Sequence, residues 1–575
     1  MANLQVPSVF PNIRSAISAS STGDSIVIAP GTFDVTAFPA AGGAPATLSY
    51  TNPASNIFSI TGFTNVTSLS YQGSGRSGAS SGGTTLSGNA RFYVSNQDGG
   101  ALGNPISVSY SGFEALYSNP SSNYIFSTGI AGNTSNNVNG NTVASSKTKT
   151  VSINNIQFSG THRGNAGAAG NYIDVAGIQN FTFSNNIVNL TGQSGFTGSQ
   201  AVSGGSSVVL VQGGQTGSVN ISGNTFNESG YRNGFSVYDS TNVTISSNTF
   251  SRSAATSFVR TNSSGVPKSN KVANSTNVTI GGTISTAGNT FNNGSFLALE
   301  GGSGTVRFNT FNGTNMAALS SGAIGIYLEG SPAPNYNFTN NTFRYVSPFV
   351  NATSSPVYVT TNGTNDNTFV NPNNGNSAAI QQFITGTTGN DVLTSTLSTS
   401  ATNRRDFIAG GLGNDTLDGG VAGPGTPPPA ADSDFFLFNT TPNATTNVDT
   451  IINWTASNAA AYQRDQLVLD RKIFKGLTVT SSVSGNAALG IGQLAATSGS
   501  TGAGGQVISN PNGTFTSSTS AERIALATGG SAPGTLYYQA GDGSAAVPFA
   551  RISTGTVGSG AWVTSLAQLG AIAVI

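Results

Sequence analysis

The sequence predicts an all-β solenoid in which short strands and asparagine turns repeat coil after coil. Three observations carry that reading. A unit of strand, Asn turn and strand recurs as VSINNIQFSG (151–160), FTFSNNIVNLTG (181–192), VNISGNTFNES (219–229), VTISSNTFSRS (243–253), AGNTFNNG (287–294), VRFNTFNG (306–313), NFTNNTFRYV (337–346) and NDNTFVN (365–371). The phenylalanine after the turn falls at Phe158, Phe226, Phe250, Phe291, Phe311, Phe343 and Phe369, with Ile187 expected in the slot between the first two; the shortest spacings, 20, 24, 26 and 29 residues, suit one coil per repeat. Secondly, 75 Gly would suit disorder, but 37% hydrophobic content with 32 Phe and 16 Tyr in patterned runs suits many short strands. Thirdly, only 7% of the 575 residues are charged, against roughly 25% in ordinary domains.

From the N-terminus, Phe10, Ile13 and Ile17 lie at helical spacing and predict a short amphipathic helix ending before Thr22 and Gly23. A strand follows over 25–29, turned by Pro30-Gly31. This opening resembles right-handed parallel β-helix proteins of the pectate-lyase type, in which a helix covers the unpaired edge of the first coil. The expected division is a capping segment at 1–23 and a right-handed parallel β-helix at 24–385, with weaker periodicity over 36–150 and on the order of a dozen coils in all. In each coil, residues such as Val243, Ile245 and Phe250 are expected to point inward. Asn beside the turn is expected to adopt left-handed geometry and to hydrogen-bond along the stack as a ladder.

The chemistry changes after residue 385. Two G-x-x-G-N-D turns occur, Gly386–Asp391 and Gly410–Asp415, and Asp406 precedes Asp415 by nine residues. A hard cation takes six to eight oxygens, and a Gly-rich turn exposes carbonyls while Asp supplies charge. Nine acidic residues lie between 391 and 470, against ten in all of 1–385, so Ca2+ is the expected cofactor. The expected site residues are Gly386, Asp391, Asp406, Gly410, Gly411, Gly413, Asp415, Asp418 and Asp434. Asp391 and Asp415 are expected to share an ion across an insertion near 399–404, with Asp406 on the opposite side beside Asp432 or Asp434.

GGLGNDTLDGG, followed by DSDFFLF, NVDTIINW, DQLVLDRKIF and GTLYYQAGDGSAAVPFARI, resembles the C-terminal part of RTX-type calcium-binding proteins exported by type I secretion. The resemblance implies a chain that stays unfolded in low cytosolic calcium, folds outside the cell and carries an uncleaved C-terminal export signal. It departs from long-array relatives in having two clear turns. The expected layout is a short RTX-like β-roll and linker at 386–431 and a β-rich secretion or assembly module at 432–575.

Several classes are excluded. Lys plus Arg and Asp plus Glu are each 21, so no basic footprint for nucleic acid exists. Cysteine is absent, so disulfide and thiolate chemistry are ruled out. No apolar stretch is long enough for a transmembrane span, and the first twenty residues do not read as a cleavable signal peptide; the expected location is extracellular or cell surface. A charge-poor rod with an export tail leads to the expectation of a structural protein that self-assembles into a surface layer, sheath or fibre, with Ala561–Ile575 as the contact. Two alternatives stand beside it: a secreted polysaccharide lyase or hydrolase, and a non-catalytic glycan-binding adhesin. Among the acids of 1–385 no D-D or D-x-D pair occurs, and no catalytic residue is assigned. Register would bring Glu228 near Arg252 and Asp239 near Arg260. His162 with Arg163 is a candidate ligand for a sugar carboxylate, and Tyr231, Tyr238, Tyr327 and Tyr345 are candidate stacking surfaces.

Overall fold

The computed structural model describes residues 2–9, 13–34, 57–61, 68–75, 83–87, 91–95, 97–98, 101–102, 107–118, 126–128, 150–162, 173–176, 179–192, 207–212, 217–228, 233–252, 270–293, 295–313, 324–344, 346–360, 366–370, 377–395, 405–420, 434–455, 465–470, 473–474, 477, 495–498, 506–510, 515, 522–556, 558–565, 569 and 571–574. Its contacts group the chain into two units, Met1–Asn309 and Thr310–Ile575.

The first unit is a parallel β-helix of three sheets visited in rotation. The first sheet stacks Asn3–Val6, Asp24–Ile28, Ser68–Gly73, Ser107–Ser111, Thr150–Asn154, Asn180–Ser184, Val219–Ser222, Thr241–Ser246, Thr276–Gly281 and Ser303–Arg307 in that order. The second runs from Gly31–Asp34 through Gln157–His162 to Thr290–Asn292, and the third from Ile57–Thr61 through Ile173–Ala176 to Leu297–Glu300. The 57–118 region, weakly periodic in sequence, contributes ordinary members of all three sheets. The predicted capping helix is Ile13–Ala19, with Ile13, Ala16 and Ile17 buried against the first coil. Asp24 ties it down by accepting hydrogen bonds from the N–H groups of Ala2 (2.6 Å) and Ser21 (2.9 Å), which hold its carboxyl below the usual carboxylate range.

Alternation decides which side chains enter the core. Val243, Ile245 and Phe250 are fully buried, as expected. Phe226, Phe250 and Phe291 stack with centroids 4.9 Å apart at each step. The slot before Phe226 is filled by Val188, which pairs with Phe158 on one side and Phe226 on the other, while the expected Ile187 is only half-buried. A one-residue difference in register exchanges inside for outside.

The asparagine ladder forms, with its duties divided between neighbouring residues. The residue ahead of each ladder position commonly takes the left-handed conformation, as at Asn185, Gly223, Ser247 and Phe308. The next residue, Asn186, Asn224, Asn248, Asn289 or Asn309, is buried in the stack. The Asn248 N–H and Nδ2 both donate to Oδ1 of Asn289, at 3.0 and 2.9 Å, and Nδ2 also donates to the Ile221 carbonyl at 2.7 Å. Asn186, Asn224 and Asn289 repeat this pattern.

The outward positions of the first sheet are also in register. One row runs Asn3, Ser25, Ser70, Ser109, Ser152, Thr182, Asn220, Thr244, Thr279, Thr305. The row two residues on runs Gln5, Val27, Gln72, Ser111, Asn154, Ser184, Ser222, Ser246.

The second unit begins with further coils, in which Asn341 and Asn367 continue a ladder, and then becomes a two-sheeted roll. The chain alternates between the sheets: Gln382–Thr385, Val392–Thr394, Asp406–Ala409, Thr416–Asp418, Phe435–Phe438, Asp449–Ile452, Gln466–Leu469. Every neighbouring pair among these is parallel. Ile384, Leu393, Ile408, Leu417, Phe436, Ile451 and Leu467 fill the space between them. Arg523–Ala527, Thr535–Gln539 and Val547–Ile552 form an antiparallel meander. Part of the C-terminal segment is drawn into the core: Ala571–Val574 pairs with Gln466–Leu469 as the last strand of its sheet, and Leu569 and Ile572 are buried in the same core.

A candidate cation site on two carboxylate ladders

The site begins with what glycine permits. Gly411 and Gly413 have φ of 95° and 126°, which L side chains rarely adopt. A Cβ on Gly411 would lie 2.1 Å from the Thr387 carbonyl oxygen, and one on Gly386 would lie 2.0 Å from that of Gly410. The turns Gly386–Asp391 and Gly410–Asp415 therefore stack with backbone against backbone. Asn390 and Asn414 add an outer rung, the Asn414 N–H donating to Oδ1 of Asn390 at 2.8 Å.

Each turn delivers an aspartate to the start of a strand, the position asparagine holds in the earlier coils. Register pairs the strands that follow Asp391, Asp415 and Asp449. The Asp391 N–H donates to Oδ1 of Asp415 at 2.8 Å, and the Asp415 N–H to Oδ1 of Asp449 at 3.2 Å. This repeats the main-chain link of the asparagine ladder with one atom exchanged. Where asparagine has an NH2 group that donates onward, aspartate has a second acceptor oxygen. Oδ2 of Asp391 is served by the N–H and hydroxyl of Thr387, at 2.6 and 2.9 Å. Oδ2 of Asp415 is buried without a hydrogen-bond partner, in a residue only 1% exposed. It faces the bare side of Gly410, where a Cβ would lie 2.4 Å from it and 3.1 Å from Oδ2 of Asp449.

Electrostatics follow from that packing. Burial, reinforced by the neighbouring charge of Asp391, pushes the Asp415 carboxyl up to about 6. Burial and the charge of Asp415 push Asp449 well above the usual carboxylate range. A buried carboxylate pair with a spare oxygen needs a cation or a proton, so the donor chemistry fits a hard divalent ion such as Ca2+. Among the described residues, no three His, Cys, Asp or Glu side chains converge on one point. An ion held here would draw its remaining oxygens from carbonyls and water, as calcium commonly does.

A second ladder lies on the other sheet of the roll. The Asp406 N–H donates to Oδ1 of Asp434 and the Asp434 N–H to Oδ1 of Asp465, each at 3.0 Å, while Oδ2 of Asp465 accepts the Thr455 N–H at 2.7 Å. Of the two partners expected for Asp406, it is Asp434 that meets it; Asp432 lies outside the described residues. Asp418 stands apart from both ladders, its Oδ1 accepting from the Gly420 N–H and Asn453 Nδ2. Asp449 and Asp465 were not among the expected site residues. Their signal is an aspartate opening an apolar strand: DTII repeats DVL and DTL, and DQLVL repeats DFIA and DFFL.

The glycan candidates are less gathered. Glu228 and Arg252 are register partners in the second sheet, their side chains outside the described set, as are Arg163, Tyr231, Arg260 and Tyr345. His162 ends its strand opposite Gly192, and its side chain also lies outside that set. Tyr327 is 6% exposed, a core residue. Tyr238 is half-buried beneath Lys271, which pairs with Glu300.

Fold and site together define a parallel β-solenoid whose amide ladder gives way to carboxylate ladders. No family model matches the chain, and no curated protein does. Among solved structures, an arginine-to-alanine variant of the PL6-family alginate lyase AlyGC is similar at 10% identity, covering 81% of this chain and 70% of that one with a TM-score of 0.19. At that score the likeness carries no argument, and the fold stands on the strand pairing itself. No helix among the described residues is long and apolar enough to cross a membrane.

Proposed function

We propose that this chain is an exported, RTX-like calcium-binding structural protein that folds on meeting calcium outside the cell and then self-assembles into a surface layer, sheath or fibre. The observation that carries the calcium reading is the buried, unpartnered Oδ2 of Asp415 beside Asp449. Asp415 and Asp449 would hold the ion, with backbone carbonyls and water supplying its remaining oxygens. Bound calcium supplies the positive charge that the ladder's second oxygens lack. The chain's own part is to align the three strands by main-chain hydrogen bonds and to keep side chains out of the space at Gly410. Without that charge the stacked carboxylates repel, which opposes closure of the roll.

The charge-poor composition supports the assembly half of the reading, because few charges leave little repulsion between copies. Electron micrographs of concentrated protein with calcium and with chelator test both halves. Ordered arrays that form in calcium and disperse on chelation are expected; dispersed monomers in both conditions would remove the structural role.

A further inference from the structure

The first sheet of the Met1–Asn309 unit presents a regular, uncharged hydrogen-bonding face. Its central row, from Asn3 to Thr305, carries a Ser, Thr or Asn at every step, and none of these is buried. The side chains are organised along the stack: Ser25 and Ser70 hydroxyls meet at 2.6 Å, and the Ser184 hydroxyl donates to Oδ1 of Asn154 at 3.2 Å. Charge is kept off this face. Its strands contain only Asp24, which is buried and bonded to Ala2 and Ser21, and Arg307 in the last coil. The strands of the other two sheets carry Glu114, Glu228, Arg252, Asp174, Lys271 and Glu300 among others.

We infer that this face is the lateral contact between copies, two first sheets meeting face to face. The inference rests on the self-assembly reading above and names its surface. Two arguments select a second copy over another partner. In a two-fold contact the same patch meets itself, so a patch of one charge sign would oppose its own kind; a neutral face carries no such penalty. A second copy also has the identical coil repeat, so hydroxyl rows stay in step along the whole sheet. Ten strands at about 4.8 Å give a strip about 45 Å long. With a width near 14 Å, such a strip buries on the order of 1,200 Å² over both partners, at the lower bound for a specific interface. Such contacts are weak in pairs and accumulate in an array.

The test places like charge in the middle of the row: Thr182→Lys, Asn220→Lys and Thr244→Lys in one full-length variant, with the matching glutamate variant as partner. Sedimentation and micrographs in calcium are read beside the melting curve. The lysine variant is expected to melt as the wild type does while the concentration for assembly rises at least about tenfold. Mixing the lysine and glutamate variants is expected to restore assembly, which a folding defect would not allow. Thr244→Lys alone, at an exposed position, carries the test should the triple variant fail to fold. Assembly of the lysine variant at the wild-type concentration overturns this face while leaving self-assembly standing. A wild type that never assembles removes both. Loss of binding to an insoluble neutral glucan, with association unchanged, overturns the inference in favour of a carbohydrate partner.

Discussion

One atom separates the two kinds of ladder in this chain. Asn248 spends its NH2 group on Asn289 and on the Ile221 carbonyl; Asp415, in the equivalent place, has an oxygen that finds no donor and lies beside a second carboxyl, Asp449. Asn248→Ala should therefore cost about 3 kcal/mol in chemical denaturation, because buried partners lose their bonds. Asp415→Asn combined with Asp449→Asn should do the reverse in chelator, raising the melting temperature by extending the amide ladder. Asp415→Ala should raise the calcium needed for half-folding by at least about tenfold, since it removes charge without supplying a donor. The pH dependence has a definite sign. A carboxyl raised in the folded state favours that state while protonated, a contribution complete below the unfolded value and lost as pH rises through about 6. Melting in chelator should thus fall between about pH 4 and pH 7, and calcium should abolish that fall; a flat profile in chelator would count against the buried pair.

At the scale of the turn and strand, glycine positions let the turns approach closely enough for the ladder to form. Gly410→Ala places a methyl against Oδ2 of Asp415, so calcium-dependent folding should be lost or strongly weakened. Gly389→Ala, in the same pair of turns, meets its nearest atom at 3.8 Å and should titrate like the wild type. Equal effects from the two substitutions, measured by calcium titration, would argue that the turns respond to backbone entropy alone. Much of this element was readable in the linear chain. The N-T-F repeat announces its own core, because Phe226, Phe250 and Phe291 recur at the same place after the turn. The G-x-x-G-N-D turns announce Asp391 and Asp415. Asp449 and Asp465 were harder to see because no glycine turn precedes them, and long segments separate them from Asp415 and Asp434. Which oxygen faces which neighbour is set by the stacking of coils distant in sequence. The Ile187–Val188 exchange has the same origin, since two adjacent apolar residues leave the inward one to register.

At the scale of the molecule, each unit solves the same problem with different polar chemistry. In the first, stacked amides satisfy one another and the core needs no ion. In the roll of the second, aspartates take the place of asparagines, and on the reading proposed above closure waits on a cation that the cytosol supplies poorly. Trp454 is buried at 2% exposure against Phe436 in the roll, a built-in reporter of its closure. The most direct measurement is a calcium titration of chelated protein followed by Trp454 fluorescence in a Trp562→Phe background, for the native ladder beside Asp415→Asn with Asp449→Asn. A cooperative rise with calcium is expected for the native ladder, and a folded signal already present in chelator for the asparagine variant. A native ladder that is fully closed in chelator, with a melting curve unmoved by calcium, would contradict that dependence on calcium.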